Sequence, residues 1–307
     1  MRNMIVRKKE HWFKMLFVWR GSVLPALLPR LGLLFTVALL VTYFHGVVLS
    51  FKVPLNPVPL TMFGFVLALF LGFRNSASYE RFWEGRKLWG ALLNIHRALT
   101  RQMLTLGNAA GEAEKERFIH LQIASLYALK HQLRRTDATQ DMEKYLQGED
   151  LEAVREAKYK FAVLTKRMAG WVAAAKEQGR IDSIQQSLFD TNFDRLYDVE
   201  GGCERITSTP IPYSYSVLLH RTVYIYCLML PFGLVDNLGW FTPFIVVFIA
   251  YTFVAFEAIA DEIEEPFGVE SNDLALNSMC KTIEETVLEL SGGRVPQGQA
   301  EDRYVID

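Results

Sequence analysis

Residues 60–90 read LTMFGFVLALFLGFRNSASYERFWEGRKLWG, and this stretch decides the fold of the chain. Its first part, Leu60–Phe73, is apolar throughout and would reach only about 21 Å as a helix, less than the hydrocarbon layer of a bilayer. From Arg74 to Leu106 the chain keeps a helix-forming composition, with many charges and no proline. The stretch is therefore either a core helix of a soluble protein or a membrane span whose inner end faces water inside a protein.

The neighbouring sequence favours the membrane span. Leu31–Leu49 is an apolar run that would reach about 28 Å, close to the thickness of the hydrocarbon layer. A signal peptide does not fit, because the run is long, begins late and is followed by no small-residue cleavage site. Two more apolar runs, Tyr213–Val235 and Trp240–Ala260, carry aromatic residues at the ends, where spans meet the membrane interface.

The pattern predicts an all-α chain with four membrane spans. We place the spans at about 31–50, 58–76, 214–235 and 239–260. The remaining sequence pairs apolar stripes at helical spacing with charged faces, which predicts a helical cytoplasmic region at about 77–212 and 261–290. Its expected helix breaks are Gly107, the TDATQD stretch at 136–141 and Gly179. Residues 1–290 then form one unit, followed by a disordered tail at 291–307.

The loops predict the orientation of the spans. The turn after the first span is expected to be short and non-helical because of its prolines, Pro54, Pro57 and Pro59. That turn holds one basic residue, Lys52, and the turn between the third and fourth spans holds no Lys or Arg. Nearly all of the positive charge lies in the amino-terminal segment, residues 1–30, and in the long middle segment, residues 74–212. The positive-inside rule then places both termini and the middle segment in the cytoplasm.

Composition excludes several function classes. Lys and Arg (33) nearly balance Asp and Glu (34), which leaves no excess of positive charge for nucleic acid. The three cysteines, Cys203, Cys227 and Cys280, form no CxxC pair and no disulfide framework. The chain has no phosphate-loop, dinucleotide, zinc-protease or nucleophile-elbow motif. The acidic DEIEE run at 261–265 has no histidine nearby and is interpreted as a solvated face. We predict no enzyme, no cofactor and no metal site.

Three large apolar residues of the second span lie on one helical face. Phe65, Leu69 and Phe73 follow each other at i, i+4 and i+8. They face either lipid or a pore, and the polar run Arg74-Asn75-Ser76, which belongs in water, favours the pore. One such helix cannot enclose a pore, so symmetric copies from several subunits are needed. A ridge of small residues that permits close helix approach runs alongside: Gly64, Ala68 and Gly72.

Four stretches of the chain closely resemble the bacterial bestrophin family. They are FLGFRNSASYERFWEGRKLWG (70–90), KHQLRRTD (130–137), GGCERITSTPIPYSY (201–215) and EEPFGVESNDLALN (264–277). The resemblance extends from about Glu10 to Leu290. It implies a homopentameric ion channel of the bacterial inner membrane, with four membrane helices per subunit and a helical cytoplasmic domain that extends a central pore.

The resemblance also implies which residues narrow the pore. It assigns the neck to Phe65, Leu69 and Phe73, and a second constriction at the cytoplasmic exit to Ile184 in GRIDSIQQSLFD. From its pattern alone, Ile184 is instead expected in the core. Animal members hold calcium just after the PFG motif. The matching stretch here, Val269–Asp273, keeps only two carboxylates, so we predict no calcium activation and interpret the PFG stretch as packing against a neighbouring subunit.

We predict that the channel passes small monovalent ions. Bacterial members of the family behave as cation channels and animal members pass chloride, so Na⁺ and K⁺ are preferred here and chloride is the alternative. A membrane scaffold or receptor that uses the helical middle to bind partners is a rival interpretation. A secondary transporter is disfavoured, since the two halves of the chain show no internal repeat.

Overall fold

The computed structural model is almost entirely helical in the part of the chain that it describes. It describes residues 4–5, 11–19, 21–48, 51–52, 55–107, 110–293 and 305–306. The helices are α1 (Trp12–Met15), α2 (Leu24–Tyr43), α3 (Pro57–Thr105), α4 (Glu112–Arg134), α5 (Thr139–Met142), α6 (Gly148–Arg155), α7 (Lys160–Glu177), α8 (Ser183–Ser208), α9 (Tyr213–Leu238), α10 (Thr242–Glu264) and α11 (Leu276–Leu290). Strands β1 (Met4–Ile5) and β4 (Val305–Ile306) pair antiparallel, as do β2 (Val47–Val48) and β3 (Phe51–Lys52). The predicted helical class is confirmed.

The chain divides into two compact units. The first, which we call the apolar unit, consists of residues 7–82 and 210–265. The second, the charged unit, consists of residues 1–6, 83–209 and 266–307. Three stretches of the described residues are long and apolar enough to cross a membrane: Leu24–Tyr43, Pro57–Thr105 and Tyr213–Glu264. The third contains both α9 and α10, which are separated by one 3₁₀ turn at Gly239–Phe241.

Helix α2 differs from the first predicted span at both ends. It begins at Leu24 rather than near residue 31, because Pro25 lies in its first turn, where a proline costs no hydrogen bond. It ends at Tyr43 rather than near residue 50. His45 and Gly46 both have a left-handed backbone, with φ of 50° and 73°, and this conformation stops the helix.

Helix α3 includes two prolines that were expected to lie in a non-helical turn. Pro57 and Pro59 form its first turn, where the backbone N–H groups have no helical partner in any case, so the expectation that they forbid a helix is wrong. The side chain of Asn56 accepts a hydrogen bond from the Val58 backbone N–H at 2.9 Å. Pro54 lies outside the described residues. From Pro57 the helix continues for 49 residues and joins the apolar stretch to its charged continuation.

The charged unit is a helical bundle with an aromatic centre. Helix α4 packs against α7 and α8, and α11 packs against α4. The rings of Phe118, Trp171 and Phe189 contact one another, with centroids 5.7 to 6.3 Å apart. The predicted helix breaks at Gly107 and Gly179 lie between helices and are confirmed. The predicted break at 136–141 is confirmed only for residues 136–138, since Thr139 begins α5. Sequence reasoning missed the short helix α6.

The predicted tail lies mostly outside the described residues. Residues 294–304 and 307 are not described. Ser291 and Gly292 form a turn after α11, and Val305–Ile306 form β4.

Candidate functional site: an apolar stripe on α3 and an exposed face of α8

Within the apolar unit, α3 leaves its large apolar residues uncovered. Phe65, Leu69 and Phe73 are 73%, 48% and 59% exposed. On the other side of the same helix Leu67 and Leu71 are only 2% exposed, and they belong to the core that α3 shares with α2, α9 and α10. The three residues therefore form a continuous stripe that is free to face a pore, lipid or another copy of the chain.

The small residues beside the stripe do not act as one ridge. Gly64 is buried, and a Cβ added there would overlap the hydroxyl of Tyr226 on α9, so a larger residue would force the Tyr226 side chain to shift. Ala68 and Gly72 are exposed, and nothing lies within 4 Å of a Cβ added at Gly72. The predicted close approach is confirmed at Gly64 only, because the other two residues lie on the side of α3 that its own chain leaves open.

The charge of Arg74 led us to expect it in water, but its side chain is buried. Its side chain is 2% exposed, and its guanidinium forms an ion pair with Asp261 and a second one with Glu264, whose Oε2 lies 3.6 Å from Nη2. A buried guanidinium is tolerated in such a place only when it is paired. The acidic run at the end of α10 therefore ties α3 to α10. Its interpretation as a solvated face is wrong for Glu264, whose side chain is 12% exposed, whereas Asp261 is 59% exposed and also forms an ion pair.

Glu264 is the centre of this polar cluster. Its Oε1 accepts a hydrogen bond from the backbone N–H of Ile211 at 2.9 Å, and its backbone carbonyl accepts one from Nε of Arg81, also at 2.9 Å. Two turns earlier on α10, the backbone carbonyl of Phe256 accepts a hydrogen bond from the Asn75 side chain at 3.1 Å. These bonds hold α3 against α10 just beyond the apolar stripe, and they fix the rotation of α3 about its axis.

The apolar unit also contains a buried carboxylate that sequence reasoning missed. Glu257 on α10 is 3% exposed, and its Oε1 lies 2.7 Å from Nδ1 of His220 on α9. The ring of Tyr224 lies 4.6 Å from the His220 ring, and Arg30 donates to the Tyr224 hydroxyl at 3.2 Å. The signal was present, since an acidic residue within an apolar run is rare without a polar partner.

Ile184 lies in the open rather than in the core. It stands in the first turn of α8, which is fixed by a capping box: Asp182 accepts from the Gln185 backbone N–H, and the Gln185 side chain accepts from that of Asp182. Its side chain is 73% exposed, and Leu188, one turn later, is 46% exposed. The pattern-based expectation of a core position is therefore wrong, and Ile184 is available for a constriction.

The same helix presents a stripe of carboxylates. Asp190, Asp194 and Asp198 follow each other at i, i+4 and i+8, so they lie along one side of α8, and all three are exposed. None of them forms a salt bridge with a described residue. Sequence reasoning missed this stripe, although its spacing is the same as that of Phe65, Leu69 and Phe73.

Two side chains of the PFG motif and the stretch after it, those of Phe267 and Asp273, contact their own chain. The ring of Phe267 is 4% exposed and packs closely against Gly85 of the same unit. A Cβ added at Gly85 would lie only 3.1 Å from the ring. The expected packing of this motif against a neighbouring subunit is therefore wrong for Phe267. In the following turn, Oδ2 of Asp273 accepts a hydrogen bond from the Glu270 backbone N–H at 2.7 Å. This carboxylate thus stabilises a turn.

Comparison with known proteins identifies the family. Residues 4–289 match the family model described as Bacterial/Fungal Bestrophin protein. The chain belongs to the bestrophin family. A bacterial bestrophin homologue from Klebsiella pneumoniae has the same fold, with a TM-score of 0.84 and 37% sequence identity over 87% of this chain and 99% of that one.

Relatives of this bestrophin are named as channel proteins. A protein of Ralstonia nicotianae is 50% identical over 94% of this chain and 95% of its own length, and a protein of Escherichia coli K12 is 39% identical over 98% and 99%. Both are named voltage-dependent anion channel-forming proteins. The resemblance found in the sequence is therefore confirmed as membership of the family, and the names point to a channel rather than an enzyme.

Proposed function

We propose that this bestrophin is an ion channel of the bacterial inner membrane, built from five copies around a central pore. In each copy α2, the apolar part of α3, α9 and α10 cross the membrane, with both termini in the cytoplasm. The observation that carries the proposal is the uncovered stripe of Phe65, Leu69 and Phe73. A single chain leaves the stripe open, and a ring of symmetric copies would close it around an axis.

The stripe would act as a dry constriction. Apolar side chains cannot replace the hydration shell of an ion, so a narrow ring of them empties of water and blocks ions until it widens. Phe65 and Phe73 add the quadrupoles of their rings, whose faces attract cations and whose edges attract anions. The bonds of Arg74 with the end of α10 support this role, because they fix which side of α3 stays open.

Ile184 is proposed as the second constriction, at the cytoplasmic exit of the pore. Its exposure fits a residue that meets its symmetry copies across an axis. The capping box at Asp182 supports the role, because it fixes the first turn of α8 and thereby the position of the side chain.

We propose that Na⁺ and K⁺ are the preferred permeant ions. The carboxylates of Asp190, Asp194 and Asp198 lie on the helix that carries Ile184, and five copies of such a stripe would raise the local cation concentration. Anion conduction by the same fold is the second candidate, and the observation that favours it is the name of the relatives.

Reversal potentials test both candidates. The purified protein is reconstituted into planar bilayers with a tenfold NaCl gradient, and the sign of the zero-current voltage is measured. We expect a shift toward the Na⁺ equilibrium potential. A shift toward the chloride potential would establish the anion channel instead, and the absence of any flux of K⁺, Na⁺ or Cl⁻ would favour a non-conducting scaffold.

A further inference from the structure

The charged unit contains a cavity that the proposed channel function does not use. It has a volume of about 650 Å³ and lies between α4, α6, α7 and the turn that follows α7. Its floor is apolar and includes Phe118, Leu121 and Val163. Its rim carries four cationic side chains, those of Arg117, Lys166, Arg167 and Arg180.

Three of the four cations are held in position. Asp150, which is 7% exposed, accepts two hydrogen bonds from Arg117, at 2.6 and 2.8 Å, and a third one from Arg167. Arg167 also donates to the backbone carbonyl of Glu149 at 3.0 Å. Arg180 is paired with Glu114, and its guanidinium carbon lies 5.7 Å from the centre of the Trp171 ring. A site held in this way does not have to be ordered when a ligand binds.

Some N–H donors of the rim form no hydrogen bond, and its positive charge is not fully compensated. A guanidinium has five N–H donors, and the bonds just described use only some of them. Nε of Arg180 is buried without a hydrogen-bond partner among the described residues. Lys166 is exposed and forms no hydrogen bond or ion pair with any described residue. The four cations lie near three carboxylates, those of Glu114, Glu149 and Asp150, so one positive charge is in excess. Hydrogen bonds from Arg180 and Arg117 lower the pKa of Glu114 and of Asp150, so both stay ionised at neutral pH.

We propose that this cavity binds a small organic phosphate. Guanidinium and ammonium groups at its rim match the charge and the acceptor oxygens of a phosphate group. Its apolar floor matches an organic body rather than a free inorganic ion, and its volume is that of a pocket for a small molecule. This inference concerns the charged unit alone and does not depend on ion conduction.

Calorimetric titration of the full-length protein in detergent tests the proposal, with phenyl phosphate as the probe. Three comparison compounds each lack one feature of the probe. Inorganic phosphate has no organic body, benzoate has a carboxylate in place of the phosphate group, and benzyl alcohol has no charge. We expect phenyl phosphate to bind more tightly than inorganic phosphate by about tenfold, since burying a phenyl ring adds apolar contact. Benzoate is expected to bind more weakly than phenyl phosphate, and benzyl alcohol is expected not to bind.

Two variants probe the site itself. Lys166→Gln removes a charge from an exposed side chain without a partner, and it should weaken binding about fivefold. Gly170→Leu should abolish binding, because Gly170 lines the cavity and nothing lies within 4 Å of a Cβ added there, so a larger side chain enters the empty volume. Lys158→Gln is the matched control, an exposed lysine outside the cavity, and it should bind as the unchanged protein does.

Three results would overturn the proposal. One is phenyl phosphate binding no better than benzyl alcohol. Another is affinity that stays the same in both Lys166→Gln and Gly170→Leu. The third is equal affinity for benzoate and phenyl phosphate, which would remove the assignment of a phosphate group. The heat of binding is measured without any flux, so a failure here leaves the proposed channel untouched.

Discussion

The exposed face of α3 in the apolar unit and the exposed face of α8 in the charged unit are built on the same spacing but from different chemistry. On α3 the positions i, i+4 and i+8 are Phe65, Leu69 and Phe73. On α8 an exposed Ile184 is followed by three aspartates at that spacing. An apolar ring excludes water whatever the sign of the ion, whereas carboxylates distinguish the sign without excluding water. The comparison teaches that control of ion flow and selection of ions by the sign of their charge can reside in separate regions.

The largest effect is expected from truncating the side chains of the α3 stripe to alanine. Leu69→Ala and Phe73→Ala should each raise the current, because a wider and less apolar neck admits water more easily. A barrier lower by about 1.4 kcal/mol corresponds to a current about tenfold larger. Single-channel recording in planar bilayers measures this.

The matched control for the stripe is Phe70→Ala. Phe70 is 43% exposed, but it lies on another side of α3. It should leave the current unchanged. Unchanged currents in both Leu69→Ala and Phe73→Ala would mean that the stripe faces lipid.

A smaller effect is expected from neutralising the α8 carboxylates. Replacing Asp190, Asp194 and Asp198 together by Asn should lower the ratio of Na⁺ to Cl⁻ permeability about threefold, with a smaller change at high salt because of screening. The reversal potential at two salt concentrations measures this. The control replaces three exposed glutamates elsewhere in the charged unit, Glu152, Glu156 and Glu177, by Gln. An equal change in both triple variants would refute a specific role of the α8 stripe.

Ile184→Ala is expected to have a milder effect. Removing a single apolar ring of moderate size from the exit should change the current amplitude by about twofold, with a small change in ion preference. Ile184→Leu keeps the volume and should behave as the unchanged channel does. Recording all three proteins under the same NaCl gradient separates a constriction from a surface position, at which neither substitution matters.

The smallest effect concerns the stability of the charged unit, away from both exposed faces. Burial lowers the pKa of His96 to about 3, whereas an unfolded histidine has a pKa of about 6.5. Below pH 6.5 the unfolded chain therefore binds a proton that folded His96 does not bind. The stability contributed by neutral His96 is complete above that pH and falls by about 1.4 kcal/mol per pH unit toward pH 3.

Melting temperatures at pH 7.5 and pH 5.0 test this sign. The unchanged protein should melt at a lower temperature at pH 5.0, and His96→Leu should reduce the difference by a few degrees. His120→Leu, at a half-buried position on α4, is the control and should keep the full difference. The same pH dependence in His96→Leu and the unchanged protein would contradict the assignment.

Much of the fold could be predicted because apolar runs and charge patterns are local signals. The helical class and the breaks at Gly107 and Gly179 follow from them. The start of α2 could not be predicted, because Pro25 is harmless in a first turn, and only the structure shows where that turn lies. The start of α3 at Pro57 lies one residue from the predicted span, although the prolines there were expected to be non-helical.

The site was predictable in its apolar part and not in its polar part. Phe65, Leu69 and Phe73 show their common face through their spacing alone. The pairing of Arg74 with Asp261 and Glu264, and of His220 with Glu257, joins residues that are far apart in the chain. No local sequence pattern predicts such a pairing. Ile184 was assigned through family resemblance, since its pattern pointed to the core.

Chemical modification of a cysteine in the α3 stripe tests the central claim most directly. The three native cysteines, Cys203, Cys227 and Cys280, are fully buried and give little background. A charged thiol reagent is added to proteoliposomes that contain Leu69→Cys, and ion flux is measured before and after. We predict that modification of Leu69→Cys changes the flux strongly, while modification of Phe70→Cys leaves it unchanged. An unchanged flux through fully modified Leu69→Cys would contradict a pore lined by this stripe.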